Sequence, residues 1–268
     1  MKLNGELKTG AFLGIAVVAI SLLSFFWTPH DCYRMDPDSR FIAPGVSCFL
    51  CTYNFGRDIL SRIMTGGRNS LVLAACTVTA AAAAGSILGL LAGYPGGIAG
   101  EIIMRIIDTV SSFPGIALAL LMIAFLDNSR LSLFTALFIL FTPSYTRVMR
   151  AGAMRYKNSV FVQAEKILGA GFFRIVFIHI LPNLAPQLLS ASAIGLSNAI
   201  LAEAAMSYLG MGIQPPEPSW GRMLYESQNY FFTAPWAALA PGIFIMLAVI
   251  SFHLLGEGLR RVFGGENG

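Results

Sequence analysis

Residues 71–94 read LVLAACTVTAAAAAGSILGLLAGY, an uncharged and mostly apolar run that is long enough to cross a bilayer as an α-helix. Similar runs recur along the 268-residue chain, which is 56% hydrophobic and only 12% charged and has a mean hydropathy of +0.68. A soluble domain usually carries about twice that charged fraction. The composition therefore predicts an all-α, polytopic membrane protein. It excludes an enzyme with a large soluble domain, and the long apolar runs argue against a β-barrel.

Six apolar runs are long enough for transmembrane helices. The first resembles the start of a signal peptide, but it ends in the bulky residues 25–29, where a signal peptidase would require small ones, so we expect a retained helix. Three prolines, Pro114, Pro143 and Pro241, remove backbone donors inside or at the edge of these runs. The predicted spans are Ala11–Trp27, Leu71–Tyr94, Ile102–Leu126, Leu131–Met149, Leu184–Leu209 and Trp236–Leu255.

The net charge of +4 matters mainly for where the basic residues lie. Several fall between Arg147 and Arg174, which a nucleic-acid-binding protein would also show. This segment, however, lies between two apolar spans, so the positive-inside rule explains it better. The segment 28–70 carries five arginines but is long enough to escape the rule in part. We therefore expect both termini in the cytoplasm and no nucleic-acid partner.

The segment between the fourth and fifth spans carries the most specific pattern. Residues 160–168 can form a short amphipathic helix, Gly169 and Gly171 interrupt it, and Phe172–Ile180 can form a second helix that ends at Pro182. We call residues 160–182 the knob. Such a unit can fit a groove in a partner protein by burying one apolar face. A hairpin lying on the lipid headgroups explains the same pattern equally well.

The knob resembles the coupling loop of bacterial ABC importer permeases. The pattern of that loop is Glu-Ala-Ala, three residues, Gly-Ala, and then a run ending in Ile-Leu-Pro-Asn. The spacing is kept here, but Gln-Ala-Glu in place of Glu-Ala-Ala moves the carboxylate two positions along the helix. The residues that correspond to the pattern are Gln163, Ala164, Glu165, Gly169, Ala170, Ile180, Leu181, Pro182 and Asn183.

Further matches narrow the resemblance to permeases of the dipeptide, oligopeptide and nickel type. Residues 54–71 contain the Gly-Arg-Asp element at 56–58, Arg105 and Asp108 match a motif of the third span, and residues 202–221 are similar to the family form throughout. The resemblance implies the transmembrane domain of a type I ABC importer with six helices. It divides the chain into an N-terminal helix and extracytoplasmic loop (1–66), the transmembrane domain (67–258, with the coupling loop at 151–183) and a cytoplasmic tail (259–268).

The resemblance also implies partners. These are a second homologous permease, two ATP-binding subunits and an extracytoplasmic substrate-binding protein, all at the bacterial inner membrane. No G-x-x-x-x-G-K-[ST] phosphate loop occurs in this chain, so ATP and magnesium are expected on the partner subunits, with no cofactor, metal site or catalytic residue here. A stand-alone secondary transporter or channel is the alternative; it would work without partners and usually shows an internal repeat. A membrane-embedded enzyme would need clustered His, Asp or Glu, whereas the three histidines are scattered.

Three charged residues are candidates for the translocation pathway or its gate: Glu203, Arg57 and Asp58. An ionisable group at membrane depth is costly and often functional, so Glu203 could line the pathway. It could instead brace the segment 210–220, which we favour. Asp108 lies one helical turn after Arg105 and is expected to form a structural ion pair with it.

The cysteines of the segment before the second span leave two interpretations open. Cys48 and Cys51 could form a disulfide in an oxidising compartment, which we favour, or could bind a metal together with His30 and Cys32. Cys76 is expected to fill space in the second span. The substrate, which could be a peptide, nickel, a metal chelate or an opine, is not determined by the sequence.

Overall fold

The computed structural model describes residues 5–42, 50 and 52–264, and these residues form helices without a β-strand. One isolated antiparallel bridge joins Thr52 and Asp58. The prediction of an all-α fold is confirmed. The α-helices are α1 (Gly5–Leu23), α2 (Ile59–Gly93), α3 (Gly97–Ser111), α4 (Gly115–Leu126), α5 (Arg130–Tyr156), α6 (Val160–Ile167), α7 (Leu181–Tyr208), α8 (Trp220–Ser227) and α9 (Trp236–Gly264), with a π-helix at Arg174–Ile180 and short 3-10 helices at Pro37–Ser39 and Gln228–Tyr230.

Five helical stretches of the described chain are long and apolar enough to cross a membrane, and α3 with α4 makes a sixth candidate. The third predicted span was wrong in one respect: its two halves meet at an angle of 87° instead of forming one helix. The break lies at residues 112–114, because Pro114 lacks an N–H donor and keeps the residue before it out of the helical region. Pro143 and Pro241, by contrast, lie inside continuous helices.

The second span also begins earlier than the hydropathy indicated. Helix α2 starts at Ile59 rather than at Leu71, so 12 further residues are helical. The Asp58 side chain accepts a hydrogen bond from the backbone N–H of Ser61 at 2.8 Å and caps the helix. The first turns of α2 contain polar residues such as Ser61, Arg62 and Thr65. Because these residues lower the local hydropathy, the apolar run indicated only the part of the helix from Leu71 onward.

The bundle is closely packed where small residues face each other. On α2, Gly85, Gly89 and Gly93 follow one another at single turns. A Cβ atom on these glycines would lie 2.5 Å from the Cβ of Tyr145, 2.7 Å from that of Met149 and 2.8 Å from that of Ala153 on α5, respectively. Further apolar core surrounds Trp220 and Ile200, both fully buried.

The bundle has two chemically different ends. One end carries the start of α2, residues 28–42 and α8, and we call it the loop end. The other carries α6, the π-helix and the start of α7, and we call it the knob end. The candidate residues of the sequence analysis fall at these two ends.

Candidate functional site

The first half of the knob is a short helix closed by a glycine turn. Helix α6 ends in a Schellman motif: Ala170 N–H donates to the Glu165 carbonyl at 2.9 Å, and Gly169 N–H donates to the Lys166 carbonyl at 3.0 Å. Gly169 has φ +79°, in the left-handed region that favours glycine. A Cβ there would meet no atom within 4 Å, so the turn projects into open space.

The second half of the knob corrects the prediction that a helix ends at Pro182. The π-helix Arg174–Ile180 continues directly into α7, and Pro182 lies in the first turn of that helix. The Leu181 N–H donates to the Val176 carbonyl, five residues back. This wider turn accommodates the proline within a continuous helix. The knob is therefore joined rigidly to a membrane-crossing helix.

Apolar side chains anchor the knob to the bundle. Val162, Ile175 and Ile180 are buried and pack against Leu90 of α2 and Met149 of α5. This packing links both halves of the knob to the two helices that are most closely packed against each other. A displacement of the knob would thus be transmitted to α2 and α5.

Other apolar side chains of the knob remain exposed. Ile167, Leu168 and Phe173 are 86%, 80% and 74% exposed, respectively. Together they form an uncovered apolar face around the Gly169 turn. A face of this kind fits a partner's groove or a lipid surface.

Two polar residues of the knob, Gln163 and Glu165, contact neighbouring parts of the chain. Gln163 is exposed and donates to the Asn158 carbonyl at 3.1 Å. The Glu165 carboxylate lies 3.4 Å from His179 Nε2 and 3.9 Å from Arg174 Nε, both on the π-helix. The displaced carboxylate of the sequence motif therefore joins α6 to the π-helix. Ala164 is exposed, and Ala170 and Leu181 are partly buried.

The Gly-Arg-Asp element lies at the loop end and is buried. Besides capping α2, the Asp58 carboxylate accepts a hydrogen bond from the Ser61 hydroxyl at 2.5 Å. Arg57 Nη1 donates to the hydroxyl of Tyr53 at 3.2 Å. Arg57 and Asp58 are 8% and 9% exposed.

Arg57 belongs to a larger polar cluster whose other members the sequence analysis missed. Arg62, only 1% exposed, places Nη2 3.1 Å from the Glu226 carboxylate, which also lies 3.2 Å from Arg222 Nε. The Tyr53 hydroxyl donates to the same carboxylate at 3.2 Å. We call Tyr53, Arg57, Arg62, Arg222 and Glu226 the clasp. The one local signal is the four-residue spacing of Arg222 and Glu226 on α8.

Glu203 is fully buried near the same end of the bundle. Its Oε1 accepts a hydrogen bond from Ser207 at 2.6 Å, and Ser207 in turn accepts one from the Ile213 backbone at 3.2 Å. The Ser219 hydroxyl donates to Ser207 at 3.3 Å. These contacts connect Glu203 to the segment between α7 and α8.

The ion pair expected between Arg105 and Asp108 is not formed. Asp108 pairs instead with Arg147 of α5 at 3.0 Å, and both side chains are about half exposed. Helix α3 packs against α5, which supplies the partner for Asp108. An ion pair is present at this position, but it joins two helices instead of two turns of one helix.

The predicted disulfide lies in a part of the chain that the structure does not describe. Cys48 and Cys51 lie outside the described residues, and within the described ranges Cys32 and Cys76 form no disulfide. Within the described ranges, no cluster of three or more His, Cys, Asp or Glu side chains could hold a metal ion.

In the exposed loop at the loop end, a hydrogen bond from the Ser39 hydroxyl lowers the pKa of Asp36 below its ordinary value and stabilises the loop.

Comparison with known proteins identifies relatives over most of the chain. Residues 85–263 match the family model described as binding-protein-dependent transport system inner membrane component. The dipeptide transport system permease protein DppC of Alkalihalophilus pseudofirmus is 35% identical over 97% of this chain and 86% of its own length. The DppC protein of Haemophilus influenzae is 36% identical over 94% and 88% of the two chains. The glutathione transport system permease protein GsiD of Pectobacterium atrosepticum is 35% identical over 92% and 82%.

Proposed function

The chain belongs to the family of binding-protein-dependent transport system inner membrane components, the permeases of ABC importers, and we propose that it forms half of a pathway that imports di- or oligopeptides. The relatives named above carry dipeptide or glutathione transport in their names, and glutathione is itself a small peptide. This chemistry favours a peptide over nickel or an opine as the cargo. The second half of the pathway would come from a homologous permease.

The main support for this function is the structure of the knob, which has one exposed apolar face and one face buried in the bundle. Its exposed apolar face, at Ile167, Leu168 and Phe173, would dock into a groove of an ATP-binding subunit, with one such subunit on each permease. Its buried side chains, Val162 and Ile180, would pass the resulting displacement to α2, α5 and α7. ATP and magnesium would be bound by those subunits, and this chain would supply the moving pathway.

Alternating access follows from that linkage. Binding of ATP would draw the two ATP-binding subunits together, move the knobs and open the loop end to receive cargo from a substrate-binding protein. Hydrolysis would return the bundle to its inward-facing state. In this orientation the knob end, with its basic residues, and both termini lie in the cytoplasm. The loop end faces the outside of the bacterial inner membrane.

The charged residues of the loop end would stabilise the helices and loops that surround the pathway. Glu203 would brace the segment 210–220 through Ser207, and Asp58 would fix the start of α2. Arg57 would hold the outer loop through Tyr53. These three side chains would shape the outer gate without contacting the cargo.

Uptake by the complete complex in proteoliposomes tests this function. The complex of both permeases, both ATP-binding subunits and the binding protein should accumulate a labelled dipeptide only when ATP is supplied, and should not accumulate nickel ions. Omission of the ATP-binding subunits is the matched control and should abolish uptake. Uptake without ATP or partners would overturn the proposal in favour of a stand-alone transporter, and ATP-dependent uptake of nickel alone would overturn the peptide assignment.

A further inference from the structure

A groove at the loop end has no role in the mechanism described above. Its volume is about 590 Å³, and its walls come mainly from apolar side chains of α2 and α5, among them Val72, Leu73 and Phe134. Two arginines, Arg68 of α2 and Arg130 of α5, also line it. The groove therefore combines an apolar wall with two guanidinium groups.

Arg68 is partly buried, and its guanidinium packs on an aromatic ring. Its guanidinium lies 4.5 Å from the centre of the Phe25 ring, and within the described part of the chain it forms neither an ion pair nor a side-chain hydrogen bond. Arg62, two turns earlier on the same helix, is by contrast paired with Glu226. Arg130 pairs with Glu217, but 48% of its side chain stays exposed. The two guanidiniums thus retain free donors.

A second cavity reaches Arg68 from the loop side. Its volume is about 510 Å³, and polar residues line much of it, including His30, Asp31 and Thr65. Arg68 lines both cavities, so it lies where the polar cavity meets the apolar groove. At a rise of about 1.5 Å per residue, Cys76 lies about 12 Å farther along α2, deeper in the groove. A solute that entered from the loop end would meet the arginine first and the apolar wall second.

We propose that this groove binds the peptide in transit, with its terminal carboxylate on the guanidiniums of Arg68 and Arg130 and a side chain against the apolar wall. The inference rests on the proposed function, since it takes the cargo to be a peptide. The planar guanidinium donates two parallel hydrogen bonds to a carboxylate, and the volume is typical of a pocket for a small organic ligand. The polar cavity above Arg68 favours a solute that arrives through water over a lipid headgroup.

Cys76 provides a natural reporter, because it is exposed and lines the groove. A charged, membrane-impermeant methanethiosulfonate reacts with a thiolate in water, and lipid would exclude it. In the complete complex in proteoliposomes, the reagent should modify Cys76, as measured by mass spectrometry of the peptide that contains it. Alanylphenylalanine, supplied with the binding protein, should slow that modification.

Substitutions at Arg68 test the carboxylate assignment. The measured quantity is the dipeptide concentration that halves the rate of Cys76 modification, with each variant compared with its own unprotected rate. Arg68→Gln should raise this concentration by about tenfold or more. Arg68→Lys keeps the charge but loses the planar fork and should give an intermediate value. Arg105→Gln, an exposed arginine of α3 near the other end of the bundle, is the matched control and should leave protection unchanged.

Three results would overturn the proposal. One is a Cys76 that the charged reagent does not reach in the wild-type complex, which would mean that lipid or the second permease covers the groove. The second is equal protection in the Arg68→Gln and Arg105→Gln variants. The third is modification that responds to replacing phosphatidylglycerol with phosphatidylcholine and not to the dipeptide, which would assign the groove to a lipid headgroup. Absence of dipeptide uptake by the wild-type complex would instead refute the proposed function itself.

Discussion

The first helix of the knob and the long helix α7 end in the same kind of turn, but the two turns lie in opposite surroundings. In α7, Gly210 N–H donates to the Ser207 carbonyl and Met211 N–H to the Met206 carbonyl, as Gly169 and Ala170 do in the knob. Gly210 has φ +83°, close to that of Gly169. After Gly210 the chain folds back against α7, whereas a Cβ on Gly169 would have no neighbour within 4 Å among the described residues.

The difference shows how one local motif serves two purposes. At the loop end the segment after the turn is fixed by Ser207, by Asn69, whose side-chain amide donates to the Pro218 carbonyl at 2.8 Å, and by the indole of Trp220, whose N–H donates to the Ile63 carbonyl at 3.0 Å. At the knob end the turn presents an apolar surface that is free to contact a partner. We therefore expect substitutions at the loop end to cost stability and substitutions in the knob to cost coupling.

The largest loss of stability is expected for Glu226→Gln. The change would leave Arg62 buried without a compensating charge and should lower the free energy of unfolding by about 3–5 kcal/mol. Denaturant titration of the purified protein in detergent measures it. Glu257→Gln, which removes an exposed pair with Arg260, is the control and should cost less than about 1 kcal/mol. Equal losses in the two variants would show that the clasp does not stabilise the loop end.

A smaller loss is expected for Gly221→Ala at the same end. The added Cβ would lie 2.5 Å from the Ala204 carbonyl oxygen and 2.6 Å from its Cα, so α8 must move away from α7 at a cost of about 1–3 kcal/mol. In the knob, a Cβ on Gly171 would meet no atom within 4 Å, so Gly171→Ala should be close to neutral. Thermal unfolding of both variants measures the contrast, and a stable Gly221→Ala variant would contradict the close packing described here.

Gly169→Val should sharpen the contrast in the knob itself. A β-branched residue in the left-handed region costs about 1–2 kcal/mol, which the Gly169 turn can relieve by changing its direction. We expect the complex to assemble but ATP-dependent dipeptide uptake to be lost. Co-purification of the partner subunits and uptake in proteoliposomes are the two measurements. Unimpaired uptake would show that the direction of the turn is not needed for coupling.

The smallest effect on stability is expected for Leu168→Glu, because the side chain is 80% exposed. Unfolding should change by less than about 0.5 kcal/mol, whereas a charge on the apolar face should weaken docking of the ATP-binding subunit. Retention of that subunit on the purified permease measures docking. Full retention would assign the exposed face to lipid.

The sequence predicted the parts of the fold that depend on local composition. The apolar runs identified six candidate spans, and the first helix and the glycine turn of the knob were placed correctly. The end at Pro182 and the straight third span were wrong. In both cases a proline was recognised, but whether it ends, bends or continues a helix depends on which neighbours can replace its missing hydrogen bond.

The sequence by itself therefore determined that this is a membrane protein, the approximate number of its spans and the glycine turn of the knob. Through its motifs it also determined the family. These features follow from hydropathy and backbone conformation within short stretches. Only the tertiary structure decided that Arg62 pairs with Glu226, that Asp108 pairs with Arg147 and that Arg68 lines the same groove as Arg130. Ion pairs between distant helices depend on which surfaces meet when the bundle packs, and charged residues carry no spacing signal for that event.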